Sequence, residues 1–237
     1  MKKLMVGLMV FALLVSGCQT NTTTETNTTE PVQTEEASEL PRVKEYDNTI
    51  EKKPVDHPGK ETKIYGFYED LIQAEQYTLK QGMHDPAMGL EQYNLMGRDG
   101  DRYINKMFQK SAAHYYEART IWQPEGILVI NDSEEIYRHM TKDEGPTVTD
   151  FKTIQDRIAE SQFAIGEEEY LGETFYSETY YEGEMGTTYL WDGDELKHIL
   201  VNTAMGDAHM SIDQLDFSID QSLFDLPDHY QEHVEEE

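Results

Sequence analysis

The last residues of the chain carry a pattern that is typical of some zinc enzymes. His229, Glu232 and His233 have the H-x-x-E-H spacing of the inverted zincins. A catalytic zinc site needs both histidines on one helical face, a glutamate as general base and a third protein ligand. Pro227 closely precedes this pattern, and only a valine and three glutamates follow it. Our interpretation is a chance match, and we expect no metal ligands here.

Other chemical signatures are weaker still. Asp99-Gly100 and Asp192-Gly193 look faintly like calcium loops, but neither has the spacing of an EF-hand, so both are interpreted as turns. The sequence contains no nucleophile elbow, phosphate loop or dinucleotide fingerprint. We therefore predict no catalytic residue, no cofactor and no enzymatic activity.

The only cysteine, Cys18, follows a segment that is typical of an export signal. Residues 1–3 are basic, and Leu4–Val15 is apolar but far shorter than the roughly 20 residues that span a bilayer. The next residues, Val15-Ser16-Gly17-Cys18, resemble the lipobox of bacterial lipoproteins. The resemblance implies cleavage between Gly17 and Cys18 and a diacylglyceryl group on the Cys18 sulfur. The alternative is an ordinary secretory signal with an incidental cysteine.

A lipid on Cys18 would fix both the location and one partner of the protein. Two acyl chains give stable anchoring where one gives only reversible binding. We expect a protein anchored in the lipid bilayer, on the extracytoplasmic face of a cell membrane of the Gram-positive type.

The removed segment 11–17 also resembles the apolar signalling peptides that some Gram-positive bacteria cut from lipoprotein signals. Such a role for the peptide stays a further possibility.

The charge balance restricts the partners that the chain can attract. The formal net charge is −28, and the loss of Lys2 and Lys3 with the signal makes it more negative. Such a surface disfavours nucleic acid and anionic headgroups. We expect a monomer with no nucleic-acid partner.

The chain divides into four parts by composition. Residues 1–17 are the lipoprotein signal peptide, and 18–60 form a linker. Eight threonines and five glutamates, with no aromatic or basic residue, lie in 19–40, so disorder is predicted there. A linker of this length has an r.m.s. reach of roughly 35 Å. Residues 61–232 are long enough for a hydrophobic core and form one predicted domain, and 233–237 are an acidic tail.

Hydrophobic periodicity predicts a helix followed by many strands. Apolar residues from Ile64 to Ile72 recur on one helical face, with Thr62 as a cap. A second helix is predicted over Asp150–Ser161, with Thr149 or Asp150 as its cap. Elsewhere the period is two, and turn residues recur at Arg98–Asp101, Asn131–Ser133, Glu182-Gly183, Asp192-Gly193 and Gly206-Asp207.

The strand pattern also predicts one irregularity and an unusual strand. Met210 and Ile212 are out of phase with Leu215, which predicts a β-bulge near Asp213-Gln214. Ile127–Ile130 is an unbroken apolar run. Hairpins follow one another without a βαβ rhythm, so the fold is predicted to be mainly β (α+β). We expect a curved antiparallel meander, with the N-terminal helix and one inserted helix packed against it.

Three segments near the C-terminus resemble a known family of lipoproteins. They are Glu169–Glu178, Tyr189–Lys197 and Asp220–Tyr230, and their order is similar to that of lipoproteins with a LolA/LppX-type open barrel. The resemblance implies a half-barrel over 61–232 with both helices on its concave face, enclosing an apolar cavity for acyl chains. Relatives of this shape carry lipids or acyl chains, and some act as envelope-stress sensors.

Tyrosine and methionine are abundant for so polar a chain, and both suit a pocket for an apolar ligand. A filled core is the alternative for any one of them. The predicted cavity lining is Phe67, Leu71, Tyr77, Leu79, Met83 and Leu95.

The predicted function is non-catalytic binding of an acyl chain or similar ligand. The rival prediction is an envelope sensor or protein-interaction module with a fully packed sheet and no ligand. The residues leave the ligand itself open.

Overall fold

The computed structural model describes residues 54–85, 90–111, 114–183, 185–203 and 206–233. The predicted signal peptide, Cys18 and most of the predicted linker lie outside the described residues. The two helices are α1 (Lys63–Gln73) and α2 (Phe151–Glu160). The strands are β1 (His57–Pro58), β2 (Gln76–Asp85), β3 (Leu90–Asp99), β4 (Arg102–Lys110), β5 (Tyr115–Gln123), β6 (Gly126–Asn131), β7 (Ile136–Met140), β8 (Gln162–Tyr170), β9 (Glu173–Glu182), β10 (Met185–Asp192), β11 (Glu195–Thr203), β12 (Gly206–Asp216) and β13 (Gln231–Glu232).

All the strands belong to one open sheet. Its order is β1-β8-β9-β10-β11-β12-β2-β3-β4-β5-β6-β7-β13. Twelve strands follow one another antiparallel, and β13 pairs with β7 in parallel. The prediction of a mainly β fold with an antiparallel meander and two helices is confirmed. The sheet also includes β1, slightly ahead of the predicted domain start at residue 61.

Both helices begin at a residue whose side chain caps the first turn. The Thr62 side chain accepts a hydrogen bond from the Tyr65 N–H, and Asp150 accepts from the N–H groups of Lys152 and Thr153. Asp150, one of the two predicted caps of α2, is thus confirmed. No helix in the described part of the chain is long and apolar enough to cross a bilayer.

A buried carboxylate on the sheet also fixes the start of α1. Glu178 of β9 is fully buried, and its two oxygens accept from the N–H groups of Lys63, at 2.6 Å, and Ile64, at 3.0 Å. These N–H groups belong to the first turn of the helix, which has no internal acceptor for them. Burial raises the pKa of the Glu178 carboxyl. The helix is therefore tied to the sheet by its N-terminus.

One face of the sheet packs against the two helices. Leu71 of α1 and Phe151 of α2 share a buried cluster with Tyr77, Leu79 and Met96 of the sheet. A second cluster continues from Ile64 and Ile158 onto strands β8, β10 and β11, through Phe163, Tyr189, Trp191, Leu196 and Ile199. Successive residues of a strand point to opposite faces, so alternate residues of β2 and β3 lie under the helices.

The last residues of the chain cover the opposite face. The C-terminal segment, residues 217–232, lies over β4 to β7 and packs against the buried side chains of Ile104, Ile121, Leu128 and Ile130. Gly97 leaves room for this segment, because a Cβ there would lie 2.4 Å from Ile219 Cδ1. Leu128 and Ile130 lie under it, and Ile127 and Val129 point the other way. The unbroken apolar run of β6 therefore belongs to a strand that is largely covered on both faces.

Two details of the predicted strands can be compared with the structure. The pairing of β12 with β2 shifts register between Ile212 and Gln214, which confirms the predicted bulge. The predicted turn at Gly206-Asp207 is wrong, because both residues pair with β11 as the start of β12.

Candidate ligand-binding cleft

A cleft of about 340 Å³ opens between the C-terminal half of α1, the start of α2 and the sheet. Ligand pockets in proteins occupy roughly 300–1,000 Å³, so this volume lies at the small end of that range. Its apolar walls come from Leu71, Ile72, Val148 and Phe151, and its polar groups come from Tyr77, Arg98, Tyr103, Thr149, Asp150 and Lys152.

The floor of the cleft is a row of three residues on neighbouring strands. Tyr77 of β2 lies opposite Arg98 of β3, which lies opposite Tyr103 of β4. All three side chains therefore point to the helix-covered face of the sheet. The Arg98 guanidinium carbon lies 5.4 Å from the Tyr103 ring centroid, within the range of a cation–π contact.

Tyr77 contributes a polar group to an otherwise apolar wall. Its side chain is 4% exposed, and its ring lies 6.0 Å from that of Phe151. Burial raises the pKa of Tyr77 to about 12, with Tyr103 adding to the shift and Arg98 opposing it. The hydroxyl is therefore protonated at neutral pH and can donate. Within the described residues it has no hydrogen-bond partner.

Arg98 has part of its guanidinium engaged and part of it open. Its Nη1 donates to the carbonyls of Ile72, at 3.1 Å, and Ala74, at 3.0 Å, at the end of α1, and its Nε donates to the Gly100 carbonyl at 2.9 Å. A cation is favourable at a helix C-terminus, where carbonyl groups lack partners. Nη2 has no hydrogen-bond partner, and no carboxylate pairs with Arg98, within the described part of the chain.

The rim of the cleft is formed by the start of α2 and the loop before it. Asp150 accepts from Lys152 N–H, Thr153 N–H and the Thr153 hydroxyl, which lower the pKa of its carboxyl. Lys152 forms an exposed ion pair with Asp156. The loop is fastened to the sheet by a 2.7 Å hydrogen bond from Trp122 Nε1 to the Pro146 carbonyl. The charged rim groups are thus engaged with their own helix.

The structure gathers most of the predicted cavity residues on one face. Leu71 and Tyr77 line the cleft. Phe67 and Leu79 lie in the core beside it, and Met83 follows on the same face of β2. Leu95 does not join them, because its neighbour Met96 faces the helices and Leu95 therefore faces away. Cys18 lies outside the described residues.

The helix-covered face also carries amide groups that the sequence did not single out. Gln92, Asn94 and Asn105 have buried amide atoms without a hydrogen-bond partner in the described ranges. Asn105 lies opposite Met96, next to the apolar core. Buried polar atoms of this kind are usually satisfied by water or a ligand. The face is therefore apolar under the helices and amide-rich farther along β3 and β4.

The zinc-like pattern at the C-terminus does not have the geometry of a zincin. Gln231–Glu232 is a strand paired with β7, not part of a helix, so the helical spacing is absent. His229 is exposed, and its Nε2 lies 4.0 Å from Glu135 Oε1. No cluster of three metal-binding side chains occurs among the residues that the structure describes.

The predicted turns at Asp99-Gly100 and Asp192-Gly193 are confirmed, with φ near +59° and +56° at the two glycines.

Arg98 is the functional candidate that the sequence did not identify. It lies at the end of β3 beside Asp99 and Gly100, where turn residues made it look like part of a turn. The available signal was its phase, since Arg98 and Met96 are two residues apart on one strand and share a face. Nothing in the sequence shows that the end of α1 meets this side chain.

Comparisons with known proteins show structural likeness only. No protein-family model and no curated protein matches the chain. An uncharacterized conserved protein from Thermus thermophilus is similar with a TM-score of 0.43 and 7% identity, over 72% of this chain and 96% of that one. PNGF-II is similar with a TM-score of 0.28 and 10% identity, over 67% of this chain but 31% of its own. Neither likeness bears on what this chain does.

Proposed function

We propose that this chain is a lipoprotein, anchored through Cys18 on the extracytoplasmic face of a cell membrane, whose domain binds an acyl chain or similar apolar ligand without catalysis. The observation that carries the ligand-binding part is the 340 Å³ cleft under α1 and α2. An apolar cavity of roughly 150 Å³ is enough to hold benzene, so this cleft has room for an alkyl segment. The lipobox resemblance at Val15–Cys18 supports the anchor.

The finer architecture belongs to the same proposal. The sheet is a half-barrel of the LolA/LppX type, and the two helices lie on its concave face. The register shift in β12 supports this shape, because a bulge bends its strand and increases the local twist. The cleft then opens at one end of the half-barrel, where α1 stops at Gln73.

A bound ligand can be detected directly on the soluble chain that begins at Gln19. This chain keeps every residue that the structure describes and lacks the predicted site of lipid attachment. We expect gentle-ionisation mass spectrometry to find co-purified lipid, or to find uptake of an added fatty acid. Val148→Trp should remove this binding by filling the cleft, whose wall includes Val148.

The matched control for Val148→Trp is Thr147→Trp. Thr147 is the preceding residue, is exposed and does not line the cleft. It should leave lipid binding unchanged. Lack of binding by the unaltered chain would contradict the proposal and favour an interaction module with a packed core.

The anchor is tested separately by Cys18→Ala in the producing cell. Without the thiol no diacylglyceryl group can be attached, so the protein should lose labelling by radioactive palmitate. The substitution lies far in sequence from Pro54, where the described residues begin, so the melting temperature of the domain should not change. Palmitate labelling that survives Cys18→Ala would show that the anchoring proposal is wrong.

A further inference from the structure

Arg98 lies at the cleft without a carboxylate partner, in a chain that is rich in carboxylates. The sequence has 47 acidic residues and 19 basic ones, so a cation has many possible carboxylate partners. Arg102 pairs with Asp99, Lys106 with Glu117 and Arg119 with Asp132. Arg98 pairs with no carboxylate among the described residues, although it lies beside Asp99 in the sequence. A half-buried guanidinium without a counter-ion is a place where an anion from outside would be favoured.

The guanidinium of Arg98 is also held in a fixed orientation. Its Nε and Nη1 are hydrogen-bonded to three backbone carbonyls, so the remaining Nη2 has little freedom. Its neighbour across the strand pair is Tyr77, whose hydroxyl has no partner within the described ranges. Fixed donors of this kind bind a carboxylate with little loss of side-chain entropy.

The apolar walls begin next to these two donors. The Tyr77 ring lies 6.0 Å from Phe151, and Leu71 and Val148 continue the lining. The cleft thus places a cation and a hydroxyl donor beside apolar side chains, and its charged rim groups Asp150 and Lys152 are engaged within α2 and its N-cap. An amphiphile with a single alkyl chain and an acidic head has the complementary distribution of groups.

We propose that the cleft binds a single-chain carboxylate, a fatty acid, whose carboxylate accepts hydrogen bonds from Arg98 Nη2 and the Tyr77 hydroxyl while its chain packs against Leu71, Val148 and Phe151. The inference rests on the proposed function and names the head group that this site selects. The rim carboxylate of Asp150 is the N-cap of α2 and accepts its hydrogen bonds from Lys152 and Thr153, and it forms no ion pair with Arg98.

The test compares two ligands that differ only in the head group. Dodecanoic acid and dodecanol are titrated into the soluble chain from Gln19 at neutral pH, and binding is measured by calorimetry. A charge-assisted hydrogen bond is roughly twice as strong as one between neutral groups, and the alcohol cannot accept one as an anion. We therefore expect the acid to bind at least about tenfold more tightly than the alcohol.

Tyr77→Phe removes the hydroxyl and keeps the ring. It should weaken binding of the acid severalfold and leave binding of the alcohol unchanged, which also shows that the variant is folded. Tyr180→Phe is the matched control, because Tyr180 is partly buried against the other helix-side cluster and does not line the cleft. It should keep the preference for the acid.

Each outcome decides the inference. Equal affinity of the unaltered chain for acid and alcohol overturns the head-group site and leaves the proposed function standing. Binding of neither ligand overturns both. A preference for the acid that Tyr77→Phe leaves undiminished, or that Tyr180→Phe reduces to the same extent, overturns the assignment to Tyr77. The comparison on the unaltered chain needs no substitution, so it decides even if Tyr77→Phe does not fold.

Discussion

Arg119 and Arg98 lie on opposite faces of the same sheet, and their surroundings differ in one respect. Arg119 lies under the C-terminal segment, with Nε and Nη2 bound to the Asp132 carboxylate and Nη1 bound to the carbonyls of Leu223 and Asp225. The Tyr230 hydroxyl also donates to Asp132, at 3.1 Å. Arg98 binds carbonyl groups in the same way but has no carboxylate. One face of the sheet is thus closed by the chain itself, and the other has a cleft with an unsatisfied donor.

The contrast separates a structural arginine from a candidate binding arginine. Arg119 has a side chain 8% exposed, its charge is paired with Asp132, and each of its three nitrogens donates a hydrogen bond within the chain. Arg98 has no carboxylate partner among the described residues, and its Nη2 is left to donate to a ligand. If this interpretation is correct, substitutions at the two positions should differ in stability and in ligand binding.

The largest effect is expected from Arg119→Met. It leaves the Asp132 carboxylate, whose side chain is 13% exposed, without its cation and two carbonyls of the C-terminal segment without a donor. Breaking a buried ion pair from one side typically costs about 3–5 kcal/mol, and we expect a loss of that size in the free energy of unfolding from urea titration. Adding Asp132→Leu should recover part of the loss. A loss below about 1 kcal/mol would show that the segment is not held by this pair.

Arg98→Met should cost less. Three carbonyls lose a donor, but no carboxylate is left unpaired, so about 1–2 kcal/mol is expected from the same titration. The variant should also bind dodecanoic acid and dodecanol equally. A loss in stability as large as that of Arg119→Met would remove the distinction between the two arginines.

The elements on both faces were predictable from local patterns. The period of Ile64–Ile72 and the capping residues predict the helices because helix starts are decided within a few residues, although the sequence leaves Thr149 and Asp150 as alternative caps of α2. The bulge in β12 follows from a phase change that the sequence shows directly. Leu95 was assigned to the wrong side because Leu79 and Leu95 were both apolar, and only the register of β2 against β3 shows that they differ.

The arrangement around the two arginines depends on contacts between distant residues. Arg119 meets Leu223 and Asp225 about a hundred positions later in the chain, and nothing in the local sequence marks that contact. The C-terminal segment was predicted to belong to the domain, but its position across β4 to β7 was not predicted. The same holds for β13, because a two-residue strand carries no periodicity.

The smallest effect concerns the other end of α1, at Glu178. Burial raises the pKa of this carboxyl above its ordinary value of 4.5. A carboxyl with a raised pKa in the folded state contributes stability that is complete below the unfolded pKa and is lost as the pH rises through the folded pKa. The difference in unfolding free energy between the unaltered chain and Glu178→Gln should therefore fall as the pH rises above about 4.5, by at most about 1.4 kcal/mol per pH unit.

Glu167→Gln changes an exposed carboxyl on β8 and serves as the control for that titration. If the difference between the unaltered chain and Glu178→Gln rises with pH instead, hydrogen bonds to the Lys63 and Ile64 N–H groups outweigh the desolvation of Glu178.

The two arginines can be observed together in one experiment. Arginine side chains give Nε–Hε signals in a nitrogen–proton correlation spectrum, and Arg98→Lys and Arg119→Lys assign the two signals. On addition of dodecanoic acid to the soluble chain, we expect the Arg98 signal to shift in proportion to the ligand bound and the Arg119 signal to stay in place. Saturating binding that shifts Arg119, or that leaves Arg98 unmoved, would contradict the assignment of the cleft as the ligand site.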